Sequence, residues 1–238
     1  MKAILIAGLE EKTNKNLRIL DFTKDCEKLR RYLIRKVGLK KKDISFFDPK
    51  CILNIKLKGL LNKMSKIVFR NSNEPFLVYY SGHGLSKMWS LYEINDGRVK
   101  SYSLRFTRLM KALKDHNAPL IVVADTCFAM SLKRHMEKLR CQWMLIGLAP
   151  EGQYGNETGV LDQVIGSWLK RRPTDPKYNI GKRLVRSFKV KRYDQTKSCL
   201  LYGNDKRFHK FFPYYSFKRI EAVLRAGSSL DYLVYPKK

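Results

Sequence analysis

Four short runs in this sequence are apolar from end to end: Ala3-Ile4-Leu5-Ile6-Ala7, Phe76-Leu77-Val78-Tyr79-Tyr80, Leu120-Ile121-Val122-Val123-Ala124 and Trp143-Met144-Leu145-Ile146-Gly147-Leu148. A strand with one wet face alternates polar and apolar residues, whereas an uninterrupted run needs cover on both faces. Ile44-Ser45-Phe46-Phe47 is a weaker fifth member. Segments of helical period lie between them. Cys26, Leu29, Leu33 and Val37 recur at three- to four-residue steps and stop at Gly38, and Ile52–Phe69, Leu104–His116 and Val160–Leu169 supply three more. Strands alternating with helices of this length predict βαβ units, hence an α/β, doubly wound fold with a mostly parallel central sheet and helices on both faces.

The 238 residues suit one sizeable core. A 44% hydrophobic and 12% aromatic composition excludes global disorder despite the charge. That charge is unusual: 49 Lys and Arg against 21 Asp and Glu give +28, which predicts contact with polyanions and says nothing about fold. Ten of the 23 residues in Lys170–Arg192 are basic, with Pro173 and Pro176 among them, so 170–192 reads as an exposed basic loop. Residues 214–238 read as a C-terminal extension packed on the same core.

Five cysteines at 26, 51, 127, 141 and 199 make no CxxC pair and no disulfide framework, which predicts a reducing intracellular, cytoplasmic setting; the basic charge leaves a nuclear address open. No Cys/His spacing matches a zinc site. Glu10 and Glu11 follow the short apolar run Ala3–Leu9 at once, against a signal peptide, and no run approaches the ~20 residues of a membrane span.

In open parallel sheets, reactive groups gather beyond the carboxyl ends of the strands. Two strands deliver candidates there. Tyr80-Ser81-Gly82-His83-Gly84 places an imidazole between glycines, and Asp125-Thr126-Cys127 places a thiol between a buried strand and an expected helix. A helix N-terminus would lower the thiol pKa and offer N–H groups to an oxyanion. A His and a Cys at one sheet edge are the parts of a base–nucleophile pair. Cys26, Cys51, Cys141 and Cys199 read as structural, His116 and His135 as surface residues, and Trp89, Trp143 and Trp168 as packing residues.

Ser81-Gly82-His83-Gly84 followed by Asp125-Thr126-Cys127 resembles the histidine and cysteine motifs of the caspase-like peptidases, most closely metacaspases and paracaspases. Lys2–Gly8, Leu20 to Asp25-Cys26, Leu145–Leu169 and Gln195–Gly203 with Phe211-Phe212 are similar to other parts of that family's domain, so the resemblance spans residues 1–213. It implies a three-layer caspase-like fold and a cysteine endopeptidase with His83 and Cys127 catalytic. It implies an oxyanion hole at the N–H groups of Gly84 and Cys127, and an S1 pocket holding Asp25, Ser81 and Asp125. Caspases proper hold an aspartate with an arginine and a glutamine; here the corresponding positions carry Asp25 and Asp125, which implies a polypeptide substrate with Arg or Lys at P1. The competing reading has Asp25 capping its helix and Asp125 orienting the cysteine loop.

Departures from the family pattern carry expectations too. Cys127 is followed by Phe128-Ala129-Met130-Ser131 where the family has a small Ser-Gly pair, and the acidic segment with which metacaspases bind calcium is poorly matched, Glu93 and Asp96 being isolated. No cofactor is expected. The short segment from Cys127 to Trp143 leaves no room for a cleavable linker, so a single-chain enzyme is expected, with any self-cleavage in 170–192; a monomer is expected as well. The alternative is a catalytically silent caspase-fold module that contacts nucleic acid or another acidic partner through its basic surface.

Overall fold

The computed structural model describes residues 1–12, 18–95, 99–141, 143–147 and 200–203. The expected helix Val160–Leu169, the basic loop 170–192, the extension 214–238 and Cys199 lie outside the described residues.

Each uninterrupted apolar run is a strand. In chain order the strands are β1 (Lys2–Ala7), β2 (Leu9–Lys12), β3 (Arg18–Asp21), β4 (Ile44–Phe47), β5 (Phe76–Ser81), β6 (His83–Leu85), β7 (Met88–Asn95), β8 (Val99–Arg105), β9 (Leu120–Asp125), β10 (Trp143–Gly147) and β11 (Leu200–Gly203). The central sheet runs β11-β10-β9-β5-β1-β4; all its pairings are parallel except β10 with β11. Every residue of β5 and β9 is buried, on both faces, which is why alternation is missing from their sequences. Each fully buried Leu, Ile or Val in this layer contributes about 1.5–3 kcal/mol.

Helix α1 (Thr23–Tyr32) packs on β1 and β5, and the chain leaves this helical stretch at Gly38, whose backbone is left-handed (φ 82°). Helix α2 (Pro49–Arg70) begins with Asp48 accepting from Cys51 N at 2.7 Å and Pro49 in the first turn, both standard helix-start chemistry. It is broken at Lys56 (φ 58°) and packs against α3 (Phe106–Leu113). The last described helix is the short α4 (Lys133–Met136).

From β1 the chain steps one way to β4, then crosses back over β1 to β5 and proceeds outward through β9 and β10. The order reverses between β1 and β5, and the crevice at such a reversal is where open α/β sheets place their sites.

A second sheet, β3-β2-β7-β6 with β8 added to β7, was not expected from the sequence. The segment from Leu104, read as helical, starts as strand: β8 ends at Arg105 and α3 begins at Phe106. None of the four helices described is both long and apolar enough to cross a membrane.

Candidate active site

The last register pair between β5 and β9 is Ser81 with Asp125, and Gly82 N donates to the Asp125 carbonyl at 3.3 Å. His83 and Cys127 each stand two residues beyond that pair, just past the ends of the neighbouring parallel strands β5 and β9. Two glycines let the first of these segments pack closely, Gly82 against Tyr80 and Gly8 and Gly84 against the cysteine segment. A Cβ at Gly82 would run into the Tyr80 hydroxyl and lie 3.2 Å from Gly8 Cα. A Cβ at Gly84 would collide with the Cys127 carbonyl oxygen and the Thr126 hydroxyl. The His83–Gly84 backbone therefore rests directly on the backbone of the cysteine turn.

His83 lies on the seam between the two sheets, since β5 hands over to β6 at Gly82. Its ring is half-buried, with the Phe22 ring edge-on at 5.5 Å and 84°. Tyr80 holds its main chain. The single hydroxyl proton is shared between the carbonyls of His83 (2.7 Å) and Ser90 (2.6 Å). Burial pushes the Tyr80 phenol well above its ordinary pKa, so it stays a donor. The ring stacks on Trp89 at 4.4 Å, and Trp89 meets Phe106 edge-on at 5.9 Å, so the support reaches into the core.

Cys127 is half-buried and forms no disulfide. The helix expected immediately behind it is absent. Phe128 takes a left-handed conformation (φ 53°, ψ 24°), which no helix can pass through, and the chain continues as one 3-10 turn, Ala129–Leu132, before α4. A dipole built on so few peptides gives the thiol much less than a full helix would. The turn is anchored by Ser131 N donating to the Phe128 carbonyl at 3.0 Å.

Alternate residues of β5 serve different ends. Tyr80 props the histidine segment, whereas Tyr79 and Ser81 gather carboxylates on the other face. Ser81 Oγ donates to Asp25 Oδ2 at 3.3 Å, and Tyr79 Oη donates to Asp125 Oδ2 at 3.0 Å. Burial, reinforced by the Asp125 charge, keeps the Tyr79 phenol protonated. The three residues assigned to S1 are thus brought together, but unequally. Asp125 is only 5% exposed and engaged from beneath by Tyr79, while the Asp25 side chain is 29% exposed and carries Lys28 Nζ at 3.5 Å. Sequence reasoning missed Tyr79, Tyr80 and Phe22. The signal for the two tyrosines was present: phenols in an otherwise apolar strand need polar partners.

Other expectations sort as follows. Cys26 and Cys141 are buried, and burial raises the Cys141 thiol to about 11. Trp89 is core. His116 is a correction: it is 1% exposed, edge-on to Phe76 at 5.5 Å, because its loop folds back beneath β5 and β9. His135 is half-buried against Phe106. Among the described residues no cluster of three or more His, Cys, Asp or Glu could hold a metal ion.

No protein-family model matches the sequence. No curated protein matches it either. Solved structures do. Caspase-1 from Spodoptera frugiperda superposes with a TM-score of 0.52 at 13% identity, over 86% of this chain and 85% of that one. The fold is caspase-like. Raptor from Chaetomium thermophilum aligns at a TM-score of 0.43 and 12% identity over 69% of this chain, which spans only 17% of Raptor; the assignment rests on the insect caspase. In this chain His83 and Cys127 follow adjacent strands at one edge of the sheet, with α1 beside them bringing Asp25 to Ser81.

Proposed function

We propose that this chain is a cysteine endopeptidase of the metacaspase–paracaspase type that cuts after Arg or Lys. The observation that carries the reading is the convergence of His83 and Cys127: each lies two residues past the paired Ser81 and Asp125, with Gly84 seated on the Cys127 carbonyl.

In the proposed reaction, His83 takes the Cys127 thiol proton and the sulfur attacks the scissile carbonyl carbon, moving an electron pair onto oxygen. The backbone N–H groups of Gly84 and Cys127 receive that oxyanion; one such donor is worth on the order of 10²–10³ in rate. Collapse breaks the C–N bond, and the imidazolium gives its proton to the departing amine. Water, deprotonated by His83, then hydrolyses the thioester and frees the thiol.

For P1 we assign Asp25 as the carboxylate that meets the cation. Ser81 orients it, and Asp125 adds negative charge from below while fixing the cysteine turn. Lys28 marks the spot where a cation is accommodated. The reading is tested with fluorogenic peptides bearing Arg, Lys, Asp or Leu at P1. Turnover of the Arg and Lys peptides, lost in Cys127→Ala and His83→Ala, is expected. Turnover that survives in Cys127→Ala would overturn it, and no turnover by the wild type would favour the silent binding module.

A further inference from the structure

At the edge of the central sheet opposite His83 and Cys127, the segments entering β5, β9 and β10 enclose an open cleft of about 570 Å³. Its wall carries Lys114, Lys138 and Arg140, one acid (Asp115) and Phe69, which is 71% exposed at the end of α2. None of the three cations is ion-paired with another described residue. The frame is fixed: the Ser72 carbonyl accepts from both Asn117 N and Ala118 N at 3.0 Å, and the buried His116 ring is packed on Phe76 beneath it.

An isolated exposed phenylalanine needs no explanation. A phenylalanine standing in a cleft whose cations outnumber its acids three to one is a different case. It pairs an apolar π-face with charges that repel one another and attract anions. An acidic peptide would use the charges and leave the ring in water, and a lipid surface, which could take up the ring, would have to enter a recessed cleft to meet the cations as well. A single-stranded nucleic acid uses both, because phosphates meet the cations while an unstacked base lies on the ring.

We propose that this cleft binds single-stranded nucleic acid, with Phe69 as the stacking platform and Lys114, Lys138 and Arg140 as the phosphate contacts. The six residues of β5 and β9 place it roughly 20 Å from the cysteine turn, so it is separate from the proposed peptidase site and does not depend on that reading.

The test measures binding alone, by fluorescence anisotropy of a labelled 15-mer of thymidine against the full chain at several salt concentrations. Phe69→Ala leaves the charge unchanged and removes an exposed ring, so its melting curve should match the wild type. It is expected to weaken binding about 5- to 150-fold, the range that stacking of one base supplies. Reversing Lys114, Lys138 and Arg140 to Glu is expected to weaken binding and to flatten the slope of log K against log salt by about two, from ~0.7 per contact. Reversing the exposed Arg31, Arg35 and Lys50 instead controls for the overall charge. Three results would each overturn the proposal: equal weakening by the control reversal, no effect of Phe69→Ala, or an oligoglutamate or anionic vesicle competing as well as the oligonucleotide.

Discussion

The Tyr80 hydroxyl donates to the carbonyl oxygen of His83 at 2.7 Å, so a residue inside the central sheet holds the main chain of the proposed base. The same proton reaches the Ser90 carbonyl on β7 at 2.6 Å, which ties the two sheets together at this point. Tyr80→Phe keeps the stack on Trp89 and removes only the donor. Leaving buried carbonyls unpaired should cost about 1–3 kcal/mol in urea denaturation. Because the variant loosens the histidine segment, kcat should fall by about tenfold with KM little changed. Loss of stability without loss of kcat would confine Tyr80 to a packing role.

Gly84 and Gly38 differ in why they are glycine. Gly38 has a left-handed backbone and nothing within 4 Å of a Cβ, so Gly38→Ala should cost about 1 kcal/mol of backbone strain and leave activity intact. At Gly84 the obstacle is the backbone of Cys127 itself. Gly84→Ala should displace the cysteine turn, destabilise by about 1–3 kcal/mol and abolish turnover. Near-wild-type activity of Gly84→Ala would break the link between the two segments.

Asp25 is the accessible acid of the proposed S1 pocket, and its charge is what Asp25→Asn deletes. Hydrolysis of an Arg-P1 peptide should drop on the order of 10- to 100-fold in kcat/KM, the worth of one charge-assisted hydrogen bond. A Leu-P1 peptide should be unaffected or improved. Equal losses on both peptides would assign Asp25 to the stability of α1 instead.

Burial lowers the pKa of His116 below its ordinary value of 6.5. The folded state therefore binds fewer protons than the unfolded state once pH falls below about 6.5. Stability from this residue is complete above that value and is lost as pH drops toward the lowered folded pKa. His135 shifts the same way by burial and by Lys138, and adds to the effect. Urea midpoints at pH 7.5 and 5 should differ more for the wild type than for His116→Gln. Identical pH dependence would remove His116 as a source.

The central sheet was legible because β1, β5, β9 and β10 are covered on both faces, and burial of that kind writes an unbroken apolar run into the sequence. The second sheet was not, because β2 is four residues long and rich in charge and β7 mixes Ser90, Glu93 and Asn95 with its apolar residues. An irregularity between Ser90 and Tyr92 disturbs its period further. The motifs placed His83 and Cys127 at one edge correctly. They could not reveal the left-handed Phe128, which replaces the expected helix with a single turn. Nor could spacing show that Asp125 is held from beneath by Tyr79, since that bond joins residues 46 apart.

Chemical labelling of the thiols tests the central claim most directly. Among the described cysteines Cys26 and Cys141 are buried, and Cys141 is held at about 11, so Cys51 and Cys127 are the accessible pair. An Arg-bearing acyloxymethyl ketone needs a thiolate, an imidazole and a basic-P1 pocket together before it alkylates. The account predicts one adduct per chain on the tryptic peptide carrying Cys127, absent from His83→Ala and blocked by excess Arg-P1 peptide. Labelling of Cys51 at the same rate, or labelling of Cys127 undiminished in His83→Ala, would contradict it.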